Sequence, residues 1–537
     1  LATTVKTIWD TATPFTGTPA GWLSKLDGLR INAYTLYDEL FANDSSAIKV
    51  TLREDEENPI YVPSAKRIVK TKARYVCKDL GFQIVNTTSG LGQAGEVEVD
   101  PNTQAEMIVA FGNFFERERF FAMFRAAMMF GLAQGDWLLY LYADPLKPEG
   151  SRISVQAIEP ETFFPIKDPK NKTKMVGVRI VEQITVDNKD LLKVQTWLTA
   201  KAFGHPSYAD GQYVDGAEIT REVLVMEPTD WEDPVKRKIV PHPDSLPMEI
   251  LPGIFQLPVY HFKASEKPGE FYGISDIAGF ERLFYGINQA VTDEDVALAM
   301  HGLGVYVSNV SPVDANGNPT DWIIGPKKVV EVGGEDGQPA ASSFSRIPGI
   351  TSVAASQDHI KYLQGQGEST NGVGPVALGE VDNAIAESGI ALALRFAPLL
   401  DDADDKDKLI LAVLRQLFHD LKDWFAAYES VTLPLELEVI PVVGPKLPKD
   451  IDKEVALYGD LHLAGVISTE LYLTKLNELG FDLGDPKQII ADAQKQADEN
   501  FARQQEQMAQ LDPGGDAGAG QLAQEAGGPP PNDAAAA

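Results

Sequence analysis

Several stretches of this sequence set residue types at spacings that chemistry uses. Gly273-Ile274-Ser275 falls between a strand-like run and a helix-like run, where a hydrolase would place a nucleophilic serine. The elbow motif requires glycine two residues after the serine, where the strained turn crowds the chain, and Ile277 stands there. Ser275 reads better as a helix cap, with Asp276 suited to the positive end of the dipole. Gly90-Leu91-Gly92-Gln93-Ala94-Gly95 spells GxGxxG, but a dinucleotide site needs its third glycine in the first turn of a helix. Glu96-Val97-Glu98-Val99 alternates like a strand instead, so the glycines read as a loop. Asp314, Asn316 and Asn318 have the oxygen spacing that opens a calcium loop, yet Gly325 occupies the place of the closing glutamate. A hairpin turn fits better. The acids from Asp401 to Asp407 could collect a divalent ion, but Lys406 and Lys408 lie among them, and a solvated loop is expected.

Ala464-Gly465-Val466-Ile467-Ser468, between two helical runs, has the form of a helix-turn-helix. Its second helix offers Glu470, Lys475, Asn477 and Glu478, without the basic excess that reading base edges requires. Neither HExxH nor GxxxxGK[ST] occurs. No catalytic, cofactor-binding or metal-ligating residue is assigned on these grounds.

The composition supports that reading. The chain has 537 residues, 44% hydrophobic and 23% charged, enough for several buried cores. Its single cysteine, Cys77, excludes an intrachain disulfide and cysteine-rich zinc sites. No apolar run reaches the ~18 residues of a membrane span, and no signal-peptide pattern is found. A soluble chain not exported by that route is expected. Lys and Arg number 47 against 78 Asp and Glu, a net charge of −31. Such a chain should not grip nucleic acid over a broad surface, because phosphate affinity comes mainly from Lys and Arg.

The elements that would position any site follow from periodicity. A helix is expected over 21–42, with Trp22, Leu26, Leu29, Ala33, Leu36 and Leu40 on one face. A second, over 64–80, carries Lys66, Arg67, Lys70, Lys72, Arg74 and Lys78, a face solvated or paired with acidic neighbours. One long helix over 104–130 holds seven phenylalanines and ends at Gly131. A strand at 137–142 opens a β-rich region of about a hundred residues, with strands near 153–157, 175–181, 191–198, 219–226 and 235–240. After a strand at 259–262, a helix should run from Ser275 to His301. A small β insertion follows, with strands at 305–310, 322–324 and 327–332. Helix returns over 350–364, then a Gly-rich interruption over 365–379. Another long helix, 387–428, should kink or break at Pro398 and the acidic run. Leu435, Leu437 and Val439 alternate as a strand, 450–510 is helical, and 511–537 is an acidic tail of mostly Gly, Ala and Pro.

This order resembles the portal proteins of tailed bacteriophages, the head-to-tail connectors. Local stretches carry the likeness too. Gly131-Leu132-Ala133-Gln134-Gly135-Asp136-Trp137-Leu138-Leu139-Tyr140 is similar to their helix-to-strand entry, and Ile158-Glu159-Pro160-Glu161-Thr162-Phe163-Phe164-Pro165-Ile166 to the strand after it. Pro258-Val259-Tyr260-His261-Phe262, then Gly273-Ile274-Ser275-Asp276-Ile277, with Ile287-Asn288-Gln289, resembles the entry to their first stem helix. Glu387-Ser388-Gly389-Ile390-Ala391-Leu392 resembles the start of the helix beyond the channel loop. Ala464-Gly465-Val466-Ile467-Ser468 is similar to a turn between late helices. The likeness spans roughly 21–510.

The resemblance implies an α+β, ring-forming subunit. An α/β wing would cover 1–273 with the strand at 431–442. Stem helices would be 274–302 and 348–368, and a small β clip 303–347. A channel loop and long kinked helix would be 369–428, a helical crown 449–510, and a flexible tail 511–537. It further implies a homo-oligomer, usually a dodecamer, at one capsid vertex of the virion, assembled in the host cytoplasm. Double-stranded DNA would pass through without sequence specificity. Partners would be the terminase large subunit, then neck or adaptor proteins, and the major capsid protein, with no membrane, cofactor or enzymatic activity. Asn371, Gly372, Val373, Gly374, Glu380 and Asp382 would belong to the channel loop. Lys327, Lys328, Arg346 and Lys361 would be candidate basic rings softening an acidic bore, or subunit salt bridges. The alternatives are another neck or capsid assembly protein, and an intracellular α/β hydrolase using Ser275.

Overall fold

Apolar runs become strands where tight turns let them pair, and helices where the apolar period is 3.6 residues. The computed structural model describes residues 25–51, 59–86, 101–208, 216–227, 238–301, 305–308, 344–347, 353–379, 389–434, 436–447, 451–479, 481, 483–484 and 486–510. The chain divides into two units, Leu1–Lys446 and Leu447–Ala537. It is mixed α+β. Among the described residues every strand pair is antiparallel, so no parallel crossover unit is formed where an α/β wing was expected.

The first unit begins with α1 (Lys25–Ala42), α2 (Ser64–Ala73) and β1 (Gly81–Asn86). The phenylalanine-rich segment is two helices, α3 (Pro101–Arg117) and α4 (Phe120–Gln134), not one. Arg119, at φ 49°, breaks it. The break folds the aromatic stripe onto itself, with Phe115 5.0 Å from the rings of both Phe120 and Phe418. Nor does α4 stop at Gly131. It ends at Gly135, at φ 107°. Gly131 is buried where a Cβ would lie 2.3 Å from the Trp137 ring, so absence of a side chain there serves packing rather than termination.

Strand β2 (Asp136–Ala143) is the centre of a three-stranded sheet, between β3 (Ile153–Ile158) and β9 (Val259–Lys263). A separate meander contains β4 (Phe163–Lys167), β5 (Met175–Val186), β6 (Lys189–Leu198), β7 (Thr220–Met226) and β8 (Leu246–Ile250). Asp187 and Asn188, at φ 50° and 59°, make the two-residue turn from β5 to β6. The expected strand at 235–240 is, among the described residues, only a bridge from Met226 to Ile239.

Helix α5 (Glu281–His301) starts six residues after Ser275, which corrects the expected start. It packs against α6 (Ala354–Thr370). Between them in sequence, β10 (Val305–Ser308) and β11 (Phe344–Ile347) pair antiparallel. The expected strands at 322–324 and 327–332 lie outside the described residues. Helix α6 continues through Gly365 and Gly367, where a loop was expected. Gly367 is buried, and a Cβ there would meet the Leu283 Cδ2 at 3.0 Å, so the glycine permits close packing on α5.

Helix α7 (Gly389–Tyr428) runs for 40 residues, about 60 Å, through both Pro398 and the acidic run, where a kink or break was expected. After it, β12 (Leu437–Val442) pairs with β1 and buries Leu437 and Val439. The second unit contains α8 (Ile451–Leu463), α9 (Thr469–Glu478) and α10 (Pro486–Gln510). The Ser468 hydroxyl caps α9, accepting from the Leu471 N–H at 3.2 Å.

Candidate functional site

Three groups of residues singled out by sequence can be located: the serine in the turn after β9, the acidic run, and the segment that follows α6. Ser275 is 6% exposed. Its hydroxyl donates to the Ala133 carbonyl oxygen and accepts from the Ile277 N–H at 3.1 Å. It stitches the turn after β9 to the end of α4, and it caps that turn rather than a helix. The histidine that might have served as its base is engaged elsewhere. His261 Nε2 lies 2.6 Å from Asp136 Oδ1, which also accepts from the Gly273 N–H at 2.7 Å. Asp136 Oδ2 accepts from the Tyr34 hydroxyl. Burial raises the Asp136 pKa, but the His261 charge and these hydrogen bonds outweigh it and hold the carboxyl low. The Tyr34 phenol is pushed up by burial and by the Asp136 charge beside it. With the Ser275 proton committed to a backbone oxygen, these residues form a structural clasp, not a nucleophile and base.

The acidic run is not a solvated loop. It occupies the middle of α7, and lysines neutralise it. Lys406 is 2% exposed, with Nζ 2.7 Å from Asp276 Oδ1, 2.9 Å from the Ala264 carbonyl and 3.1 Å from Ser265 Oγ. Lys72 of α2 joins the same centre, 3.1 Å from Asp402 and 3.6 Å from Asp276. A second centre lies one turn on. Asp407 is 2.9 Å from Lys446 and accepts from the Cys77 N–H at 2.7 Å, while Lys446 also reaches Asp404 at 2.5 Å. Burial, then Asp407, pushes the Cys77 thiol far above its ordinary range, so it is no nucleophile. Together these pairs tie α2, the 264–276 turn and the 446 segment to α7. Such pairs contribute specificity more than net stability, but removing one partner of a buried pair costs about 3–5 kcal/mol.

Polar groups on α5 hold the 51–62 stretch where it is described. Asn288 is fully buried and Thr292 nearly so. Asn288 Oδ1 accepts from the Val62 N–H at 2.6 Å, Thr292 Oγ1 from the Ile60 N–H at 3.1 Å, and Gln289 Oε1 from the Thr51 N–H at 2.7 Å. A cavity of about 200 Å³ lies at the root of α5 and α6, beside the 3.3 Å ion pair between Arg67 and Glu368. The Asn-Gln motif in the sequence is thus a backbone-satisfying ladder.

The segment expected to form a channel loop is packed where it leaves α6. Asn371 is buried and donates through Nδ2 to the Gly367 carbonyl at 3.0 Å. Gly372, at φ 72°, leaves only 3.3 Å between a would-be Cβ and the Pro398 oxygen, and Val373 is fully buried. A short 3-10 turn follows Gly374 at Pro375–Leu378. Residues 371–374 therefore form an anchored root. Glu380 and Asp382 lie outside the described residues, as do Lys327 and Lys328. Arg346 pairs in register with Tyr306 in the β10–β11 hairpin, and Lys361 is exposed on α6. Of the four candidate cations, only Lys361 has its side chain among the described residues.

The helix-turn-helix form fails in its chemistry. Asn477, its best base-reading residue, donates to the Gly484 carbonyl at 2.8 Å and accepts from the Leu483 N–H at 2.9 Å. Sequence reasoning missed β1, β8, β11 and one clamp at the end of α7. Glu429, 6% exposed, accepts from the N–H groups of Gly150, of Arg152 at 2.7 Å and of Ile153 at 3.3 Å. Its signal was faint: a lone acid after an amphipathic helix.

No family model and no curated protein matches the chain. Solved structures do. A chain in the virion of a native gene transfer agent particle is 13% identical with a TM-score of 0.40, over 88% of this chain and 98% of that one. A chain in the neck of the native particle, computed with C12 symmetry, is 14% identical with a TM-score of 0.37, over 78% and 90%. One in the neck of the empty particle, computed with C6 symmetry, is 16% identical with a TM-score of 0.39, over 78% and 90%.

Proposed function

We propose that this chain is a portal subunit. Copies of it form a closed ring at one vertex of a phage-like capsid and conduct double-stranded DNA during packaging and ejection. The observation that carries this reading is the run from β9 to α7. A strand leads through a clasped turn into α5, the antiparallel pair β10–β11 lies in sequence between α5 and the returning helix α6, and a glycine-rich root precedes a 40-residue helix. That is the portal order of wing, stem, clip, stem, channel loop and long helix which the sequence resembles. The charge supports it as well. A conduit must not hold what passes through it, and a net −31 repels phosphate while a few cations soften the barrier.

In this reading Lys327, Lys328, Arg346 and Lys361 are basic positions of the clip and stem. The part of the channel loop that reaches the bore lies beyond the root at 371–374 and includes Glu380 and Asp382. The hairpin end of the stem meets the terminase large subunit during filling and neck or adaptor proteins afterwards, while the wing meets the major capsid protein. Class averages of the purified chain, taken by electron microscopy at more than one salt concentration, test the reading. Closed rings of about twelve subunits, with a bore wide enough for a duplex, are expected. Compact monomers or dimers at every condition would sink it.

A further inference from the structure

Three cations form a row along α2, Lys66 half-buried and Lys70 and Arg74 exposed. Lys66, Lys70 and Arg74 follow one another at four-residue steps, so their side chains share one face of α2 and its C-terminal end. Like charges at that spacing repel, and elsewhere in this fold the cost is met by carboxylates. Lys72, one position round the helix, is buried between Asp276 and Asp402, and Arg67 meets Glu368. Lys66 sits over the Phe41 ring at 6.0 Å. Lys70 and Arg74 have no such partner. They are exposed, and across a groove from them stands Arg125 of α4, also exposed. Among the described residues none of the three side chains is in an ion pair or hydrogen bond. Asp79 and Arg125 both line an adjoining hollow without forming an ion pair.

The groove has a volume of about 440 Å³ and is floored by Ala122, Ala126 and Met129. Three unpaired cations around a floor of small apolar side chains suit an extended peptide that carries carboxylates beside aliphatic groups. They suit a duplex poorly. Non-specific grip on DNA comes from many phosphate contacts spread along a basic surface, and here three cations stand on a chain of net charge −31. A phosphodiester backbone would also leave the alanine and methionine floor uncovered.

We infer that the groove between α2 and α4 is a docking site for an acidic segment of a second copy of this chain. This rests on the ring reading and adds to it a named contact. Charge complementarity argues for self-recognition, because every copy has the unpaired cations here and an excess of acids elsewhere. A groove on one face that takes a different face of the next copy is a head-to-tail contact, the kind that closes into rings. Opposed charges of this sort set the register and speed of association more than its ultimate strength.

The test is sedimentation of the full chain at low and high salt, comparing wild type with Arg74→Glu/Arg125→Glu. Both residues are exposed, so the thermal midpoint should match wild type. If the double variant fails to fold, Arg125→Ala replaces it. At ~0.05 M salt the double variant should associate at least about tenfold more weakly, and the deficit should shrink at ~0.5 M, where screening is strong. Arg74→Lys/Arg125→Lys should associate as wild type does. Wild type and Arg74→Glu/Arg125→Glu assembling alike would overturn the groove while leaving the ring reading intact. Wild type remaining monomeric throughout would sink the ring reading and the groove with it. A short duplex, followed by fluorescence anisotropy, provides the other arm. Loss of duplex binding in the double variant with assembly unchanged would make the groove a nucleic-acid site and overturn the proposal.

Discussion

Replacing Lys406 by methionine keeps the length of the side chain and removes its charge from a place with almost no water. The ammonium lies 2.7 Å from Asp276 Oδ1, and the two side chains are 2% and 4% exposed. At an effective dielectric of ~20, Coulomb's law gives about 6 kcal/mol of gross attraction at that distance. Relief of the ammonium's own desolvation returns part of that. Asp276 keeps only Lys72, at 3.6 Å, while the Ala264 carbonyl and Ser265 hydroxyl each lose a charged donor. The net loss should be about 3–5 kcal/mol, as for other buried pairs deprived of one member. Urea unfolding followed by the fluorescence of the buried Trp137 and Trp424 measures it. The double variant Lys406→Met/Asp276→Asn should recover much of the loss, because no buried charge is then left alone and Lys72 still has Asp402. A single variant that loses less than ~1 kcal/mol, or a double variant worse than the sum of its parts, would refute the assignment of this centre as a buried, coupled pair.

Other expectations follow from equally local features. Burial raises Asp420, which accepts from the Tyr260 hydroxyl at 3.0 Å, to about 7, and burial with nearby Glu159 raises Glu161 to about 7. A carboxyl raised on folding contributes stability that is full below its unfolded value and is lost as pH rises through the folded one. Thermal midpoints should therefore fall between pH 5 and 8, less steeply in Asp420→Asn than in wild type, and equal slopes would contradict the burial argument. Gly131→Ala forces a Cβ within 2.3 Å of the Trp137 ring, and the chain should lose roughly 1–3 kcal/mol in denaturant titration. Glu429→Gln leaves the N–H groups of residues 150–153 with a weaker acceptor, at a cost of about 1–2 kcal/mol, read as faster proteolysis of that loop. Gly372→Ala strains a backbone at φ 72° beside the Pro398 oxygen, and should lower the thermal midpoint without altering the secondary structure seen by circular dichroism.

Elements whose periodicity agrees with their packing were legible from sequence. The alternation at Leu437 and Val439 is the buried face of β12, and Asp187-Asn188 is a hairpin turn. Where a tertiary contact overrode a local signal, legibility failed. The phenylalanine run gives no hint of the left-handed residue at Arg119, because apolar spacing continues across it. Glycine at 367 reads as a breaker until Leu283 is placed against it, and the acids of 401–407 read as loop until Lys72 and Lys446 arrive from two distant places in the chain. Distant lysines are invisible to a window. For the candidate site, Asn288 and Gln289 were visible as a motif but not as a ladder for residues 51–62. The groove between α2 and α4 was visible only as half of a basic face.

Helix α7 also has a mechanical meaning. From Ala403 onward it is gripped along its length: by lysines at its middle, by Phe418 and Phe425 against the aromatic stripe, and by Glu429 at its end. Among the described residues none of those three clamps lies before Pro398, and there the missing proline N–H leaves one rung of the ladder open. Compliance is therefore concentrated at one end of the rod. A push delivered near Pro398, where the 371–374 root rests, bends the short free end first. Whatever force remains travels undamped for about 45 Å to the loop that Glu429 holds. The helix works as a beam with a single built-in flexure, so load at its tip and geometry at its base are separately adjustable.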